Sequence, residues 1–189
     1  MSTSIRFTVA EFDQMIEKGI FADRPDQRLE MIHGDIRKVT PPNPPHEDTI
    51  DLLTYWSVDN APRDEVRVRI QNSLGIPALD SVPEPDVAWM RIRNYRKRRP
   101  LPRDVLLLIE VAESSLAFDR GEKADLYASA GIKDYWIINL PDLCIEVYRE
   151  PRRGKYRACE SHQLGQSVSP LAYPSIALDV NYVFALGNQ

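Results

Sequence analysis

VLLLIEVAESS, residues 105 to 115, is the most apolar run in the chain, and it carries an ionisable side chain, Glu110, near its end. The continuous stretch from Val105 to Ile109 suits a central strand covered on both faces, because a strand with one wet face alternates apolar and polar residues. Upstream, PDVAWM from Pro85 reads as a second strand, and EVRVRIQNSL sets Val66, Val68 and Ile70 against Arg67, Arg69 and Gln71, a strand with one buried face. Downstream, FDRGEKADLYASAG has helical spacing and closes on Gly131, and the strands DYWIINL and CIEVYRE follow, joined through Pro141-Asp142. The N-terminal third adds an amphipathic helix over TVAEFDQMIEKG, with Thr8 and Glu11 in capping-box spacing. It also adds two short strands in RLEMIHGDIRKVT joined at Gly34-Asp35, a stiff PPNPP connector, and a second helix from near His46. Helix, strands, helix, strands in this order predicts an α/β (α+β) fold: a mixed central β-sheet flanked by α-helices, in one domain over residues 1 to 189.

Composition narrows the function classes. A formal charge of -4 gives no global attraction to nucleic acid or to an anionic membrane, so any such binding has to be local. Cys144 and Cys159 lie in no metal-type spacing, and MSTSIRFTVAEF lacks the apolar core of a signal peptide, so a reduced, cytoplasmic protein with no membrane segment is expected. Glycine-rich phosphate loops are absent, and His33, His46 and His162 form no ligand pattern, so each is expected to be structural or exposed.

The carboxylates carry the chemistry. An antiparallel hairpin that pairs Arg91 with Val105 places Asp86 directly opposite Glu110, where Cβ atoms lie about 4.5 to 5.5 Å apart. Two acids that close beside apolar residues either share a proton or hold a cation between them. A hard ion such as Mg²⁺ takes one or two protein carboxylates and fills its shell with water and phosphate. Beyond Glu110, Asp119, Lys123 and Tyr127 share one helix face. On spacing alone Asp119 and Lys123 read as a surface ion pair, and the alternative turns Lys123 toward the acids. The loop RIRNYRKRRPLPR contains no acid and offers Arg93, Arg96, Lys97, Arg98 and Arg99 to a phosphate backbone. A solvated loop that keeps the chain soluble is the plain alternative.

RLEMIHGDI, PPNPPH, PEPDVAWM, LLLIEVAESS, DRGEKADLYASAGIKDYWIIN and IEVYR, in that order, resemble the successive signatures of the Uma-type restriction endonuclease family of the PD-(D/E)XK nuclease superfamily. The resemblance covers nearly the whole chain. It implies a restriction-endonuclease-like core and Mg²⁺-dependent hydrolysis of DNA phosphodiester bonds, with Mn²⁺ as a substitute ion and RNA as an alternative substrate. Carried over by position, Asp86 and Glu110 would be the metal ligands, the Val111 carbonyl a third, Glu30 the supporting acid, and Gln71 a lining residue. The superfamily lysine normally lies two residues after the glutamate, where this chain has Ala112; Lys123 takes that part in the resemblance. Glu113 is an additional acid where the family carries proline. A catalytically silent nuclease-fold protein that binds nucleic acid or a protein partner is the rival reading, and double-strand cutting would favour a homodimer.

Overall fold

A computed structural model describes residues 5–23 and 28–184, so the first four residues of MSTSIRFTVAEF lie outside the described residues. The helix α1 (Val9–Glu17) is capped by the expected box, with the Thr8 hydroxyl accepting from the Glu11 N–H and the Glu11 carboxylate accepting from the Thr8 N–H. The hairpin β1 (Leu29–Ile32) and β2 (Asp35–Lys38) turns at His33-Gly34 rather than at Gly34-Asp35. Both turn residues have positive φ, 51° and 81°, the backbone twist that two-residue hairpins favour. Asp35 is therefore the first ladder residue, paired with Ile32.

PPNPP is only partly the connector expected. Helix α2 (Pro44–Asn60) starts inside it, with Asn43 as N-cap and both Pro44 and Pro45 in the first turn. Proline is tolerated there because the first helical N–H groups have no intrahelical acceptor to lose.

The central sheet has six strands in sequence order: β3 (Val66–Ile70), β4 (Val87–Arg91), β5 (Val105–Ala112), β6 (Asp134–Asn139), β7 (Cys144–Arg152) and β8 (Lys155–His162). Only β5 and β6 run parallel, so the sheet is mixed, as expected. A parallel step needs a crossover long enough to return the chain. It is supplied by α3 (Leu116–Phe118), a wide π turn over Asp119–Lys123, and α4 (Ala124–Ser129). The uniform helix predicted for this segment is thus interrupted in its middle. A two-residue ladder, β9 (Ser167–Val168) with β10 (Leu178–Asp179), and α5 (Val180–Phe184) complete the order.

The β4–β5 register decides where the acids stand. Val87, Ala88 and Trp89 pair with Ile109, Leu108 and Leu107, and extending that register by one residue sets Asp86 opposite Glu110. The far end differs from expectation: a bulge after Trp89 pairs Met90, not Arg91, with Val105. The extra residue is absorbed away from the acids, so the pairing next to Glu110 is undisturbed.

Strand β5 is covered on both faces. On one, Leu107, Ile109 and Val111 pack with Trp56, Trp89 and Trp136 under α2. On the other, Leu108 and Ala112 join Met90, Tyr127, Tyr135 and Ile137 under α4. Glu110 belongs by alternation to the second face. The β1–β2 hairpin is clamped beside this face by reciprocal backbone bonds between Met31 and Val82.

Candidate active site

Beside the hairpin, β5 and the crossover lies a cavity of about 600 Å³ lined by Glu30, Asp86, Glu110, Asp119 and Lys123. None of these five is more than 7% exposed. Burying four acids with one lysine is costly unless each charge is met, so the contacts at the bottom of the cavity decide what it can hold.

Lys123 reaches inward from the end of the π turn, its Nζ 2.9 Å from Glu110 Oε1 and 3.8 Å from both Glu30 and Asp119. Asp119 and Lys123 do pair, but in the buried cavity wall rather than on the surface where spacing alone put them. Burial works against the Lys123 ammonium, but the surrounding carboxylates outweigh it and raise its pKa. Glu110 Oε1 also accepts from the Tyr127 hydroxyl at 2.7 Å. Burial raises the Glu110 pKa to about 8, with Asp86 and Asp119 pushing the same way against Lys123 and Tyr127. Asp119 is raised too, chiefly by burial.

Asp86 is stabilised as an anion. Its Oδ2 accepts from the Val111 N–H at 2.9 Å and lies 3.4 Å from His46 Nε2, while Oδ1 accepts from Gln71 at 3.3 Å. Burial opposes ionisation, yet His46, Val111 and Lys123 together hold its pKa below the usual value. Gln71, at a left-handed φ of 48° just beyond β3, supports Asp86 from behind and is not among the residues that line the cavity, where the resemblance put it.

Two acids, two pKa shifts in opposite directions and one buried ammonium make a site that can bind a cation or exchange a proton. The donor set fits a divalent ion. Both hydrogen bonds to Glu110 fall on Oε1, and Glu30 Oε2 is buried with no hydrogen-bond partner, so carboxylate oxygens remain uncommitted. Among the described residues no three His, Cys, Asp or Glu side chains form a ready-made metal cage. Hard ions that keep most of their waters do not need one.

A family model described as "Uma2: Putative restriction endonuclease" matches residues 9–181. The chain belongs to the Uma2 family. Among solved structures, one described as a putative nuclease belonging to DUF820 from Anabaena variabilis superposes with a TM-score of 0.71. It is 15% identical, over 95% of this chain and 98% of that one, which supports a shared fold. No curated protein matches the chain.

The Uma2 signatures converge unevenly. Glu30, Asp86, Glu110, Val111 and Lys123 all line the cavity. The basic loop does not. It joins the C-terminal end of β4 to the start of β5, whereas Asp86 and Glu110 are at the opposite end of that hairpin; five residues of strand put about 17 Å between them. Arg93 and Arg98 are also engaged by Asp104, one residue beyond the loop, and Arg99 by Asp13 and Ser73. Arg96 and Lys97 make no ion pair among the described residues. Besides Lys123, the basic side chains Arg28, Arg37 and Lys38 of the hairpin segment line the cavity. Arg28 is paired with Glu84 and Arg37 with Glu122, while Lys38 has no ion-pair partner among the described residues.

His46, expected to be structural or exposed, is instead a half-buried wall of the cavity beside Asp86. Its signal in the sequence was its place directly after PPNPP, at a helix start that proline fixes. Glu113 also lines the cavity and accepts a hydrogen bond from the Asn43 side chain, tying the head of α2 to the end of β5. Ala112 is fully buried under α4, and the ammonium next to Glu110 comes from Lys123 instead.

Proposed function

We propose that the chain is a metal-dependent endonuclease that hydrolyses DNA phosphodiester bonds in this cavity. The observation that carries the reading is the contact of Lys123 with Glu110, in a cavity shared with Asp86 and Glu30. It brings residues from four of the chain's nuclease-like signatures together at one point. In this reading Asp86 and Glu110 hold a divalent cation, the Val111 carbonyl is a third oxygen, and Glu30 supports the shell. Bound there, the cation would polarise a phosphoryl oxygen and make nearby water more acidic.

The protein groups have distinct parts. In the absence of a cation, His46 and the Val111 N–H favour the Asp86 carboxylate, so a negative oxygen is ready to receive one. Glu110 would hold a cation as its carboxylate, and Tyr127 fixes the orientation of its carboxyl group. Lys123 stays charged and can orient an attacking water or offset the charge that builds on the phosphoryl group. Lys38, free of ion pairs among the described residues, is the cation best placed to meet a flanking phosphate. The loop at 91–103 would meet the backbone farther along a duplex, chiefly through Arg96 and Lys97.

The test is cleavage of supercoiled plasmid with Mg²⁺ or Mn²⁺ and with EDTA, alongside Glu110→Gln and Lys123→Met proteins whose folding is checked by circular dichroism. The reading expects cutting that EDTA stops and that both variants lose. A wild type that binds DNA without cutting it supports the silent nuclease-fold alternative.

A further inference from the structure

We propose that His46 is a nitrogen ligand of the cation site, so that the site takes a first-row transition ion such as Mn²⁺ in preference to Mg²⁺. The inference rests on the reading above that a cation is held at Asp86 and Glu110.

The imidazole is presented by a stiff support. His46 lies in the first turn of α2 behind Pro44 and Pro45, whose rings fix the backbone, and its N–H donates to the Asn43 cap at 3.2 Å. Asn43 is bonded in turn to Glu113, just past β5. The backbone that carries the ring is thus tied to the strand that carries Glu110.

The ring nitrogen that faces Asp86, Nε2, is poorly served without an ion. Nδ1 is buried with no hydrogen-bond partner. Nε2 stands 3.4 Å from Asp86 Oδ2, beyond the roughly 2.7 to 3.2 Å of a good N–H···O bond, and that oxygen already accepts from Val111. A histidine kept for structure normally has both nitrogens satisfied when buried.

The same separation is what a shared ion requires. Two ligands about 2.1 Å from one ion, at roughly 90 to 110° to each other, are about 3.0 to 3.4 Å apart. Nε2 and Oδ2 are therefore spaced as neighbouring ligands while making no good bond to each other. A ligand set of carboxylate and carbonyl oxygens alone suits Mg²⁺; adding an imidazole shifts preference toward first-row transition ions.

The experiment uses the full chain loaded with Mn²⁺, with uniformly ¹⁵N-labelled histidine, and reads nitrogen coupling to the ion by pulsed electron paramagnetic resonance. Calorimetric titrations with Mn²⁺ and with Mg²⁺ run beside it. Coupling to one histidine nitrogen is expected, with Mn²⁺ bound at least about tenfold tighter than Mg²⁺. In His46→Gln the coupling should vanish and the preference should fall by about tenfold or more. A His33→Asn/His162→Gln protein keeps His46 as its sole histidine, so coupling there assigns the ligand even if His46→Gln does not fold. Mn²⁺ that binds without nitrogen coupling, and is lost in Glu110→Gln, overturns the His46 role and leaves the cation site standing. Failure of the wild type to bind either ion overturns both.

Discussion

Replacing Lys123 with methionine removes one ammonium from among three carboxylates, at 2.9, 3.8 and 3.8 Å, and leaves a side chain of similar length in its place. Breaking a buried ion pair by deleting one partner costs about 3–5 kcal/mol, because the other charge is left uncompensated. Here the cost depends on pH. Burial has already raised Glu110 to about 8, so below that pH its carboxyl is largely neutral even with Lys123 present. An acid whose folded pKa is raised loses stability as pH climbs above its unfolded value and stops losing it above the folded one. Without Lys123 the Glu110 and Asp119 carboxyls rise further, so the variant pays more for ionisation at high pH. Urea unfolding at pH 8.5 should therefore show a loss of about 3–5 kcal/mol. At pH 5 the loss should shrink to about 1–2 kcal/mol, the value of the surrendered hydrogen bond. Adding Glu110→Gln should recover about 2 kcal/mol at pH 8.5, since the two residues touch and their effects do not add. Equal losses at both pH values, or a loss under about 1 kcal/mol at pH 8.5, would refute the coupling of Lys123 to ionised acids.

Three further outcomes follow from the same geometry. Mn²⁺ must displace the Glu110 proton, and that of His46 where it is charged, so its calorimetric affinity should rise at least about tenfold per unit from pH 6 to about 8 and then level off; a flat profile contradicts a role for Glu110 as ligand. Gly34→Ala should cost more than about 1 kcal/mol in thermal or urea unfolding, because φ is +81° and a Cβ would lie 2.8 Å from Arg6 Cβ and 2.9 Å from the Phe7 carbonyl oxygen; full stability in that variant would show that the hairpin turn is not as described. Lys38→Ala should raise KM for DNA and lower the salt slope of binding by about one, and more strongly than Arg96→Ala or Lys97→Ala, because Lys38 alone of the three lines the cavity; the reverse order would move the phosphate contact to the loop.

The fold was legible where one physical signal dominated. Val105 to Ile109 reads as a two-faced strand because no polar residue interrupts it, and β5 is buried on both sides. The pairing of Asp86 with Glu110 followed from a single register, and the bulge at Met90 spared it only because the irregularity falls at the loop end. Signals that depend on the third dimension were not readable. PPNPP looks like a linker because proline is a helix breaker inside a helix, whereas two of its prolines occupy the one turn where that property is harmless. Lys123 could not be told from a surface partner of Asp119 by spacing, since a wide turn over residues 119–123 directs both inward. The basic loop was adjacent to the acids in sequence, but a strand spans the distance between them. Conversely, Arg28 and Arg37 are paired with distant acids and Lys38 stands outside any long run of charge, so nothing in the sequence marked the three. His46 was hidden for a similar reason: one histidine in no pattern, brought to Asp86 by a helix start forty residues away.

The central claim is that Asp86 and Glu110 share a divalent cation in this cavity. An anomalous difference map from Mn²⁺-soaked crystals, collected at the manganese absorption edge, tests it most directly. The account predicts one peak in contact with both carboxylates; a cavity with no peak there, from crystals in which Mn²⁺ is bound elsewhere or not at all, would contradict it.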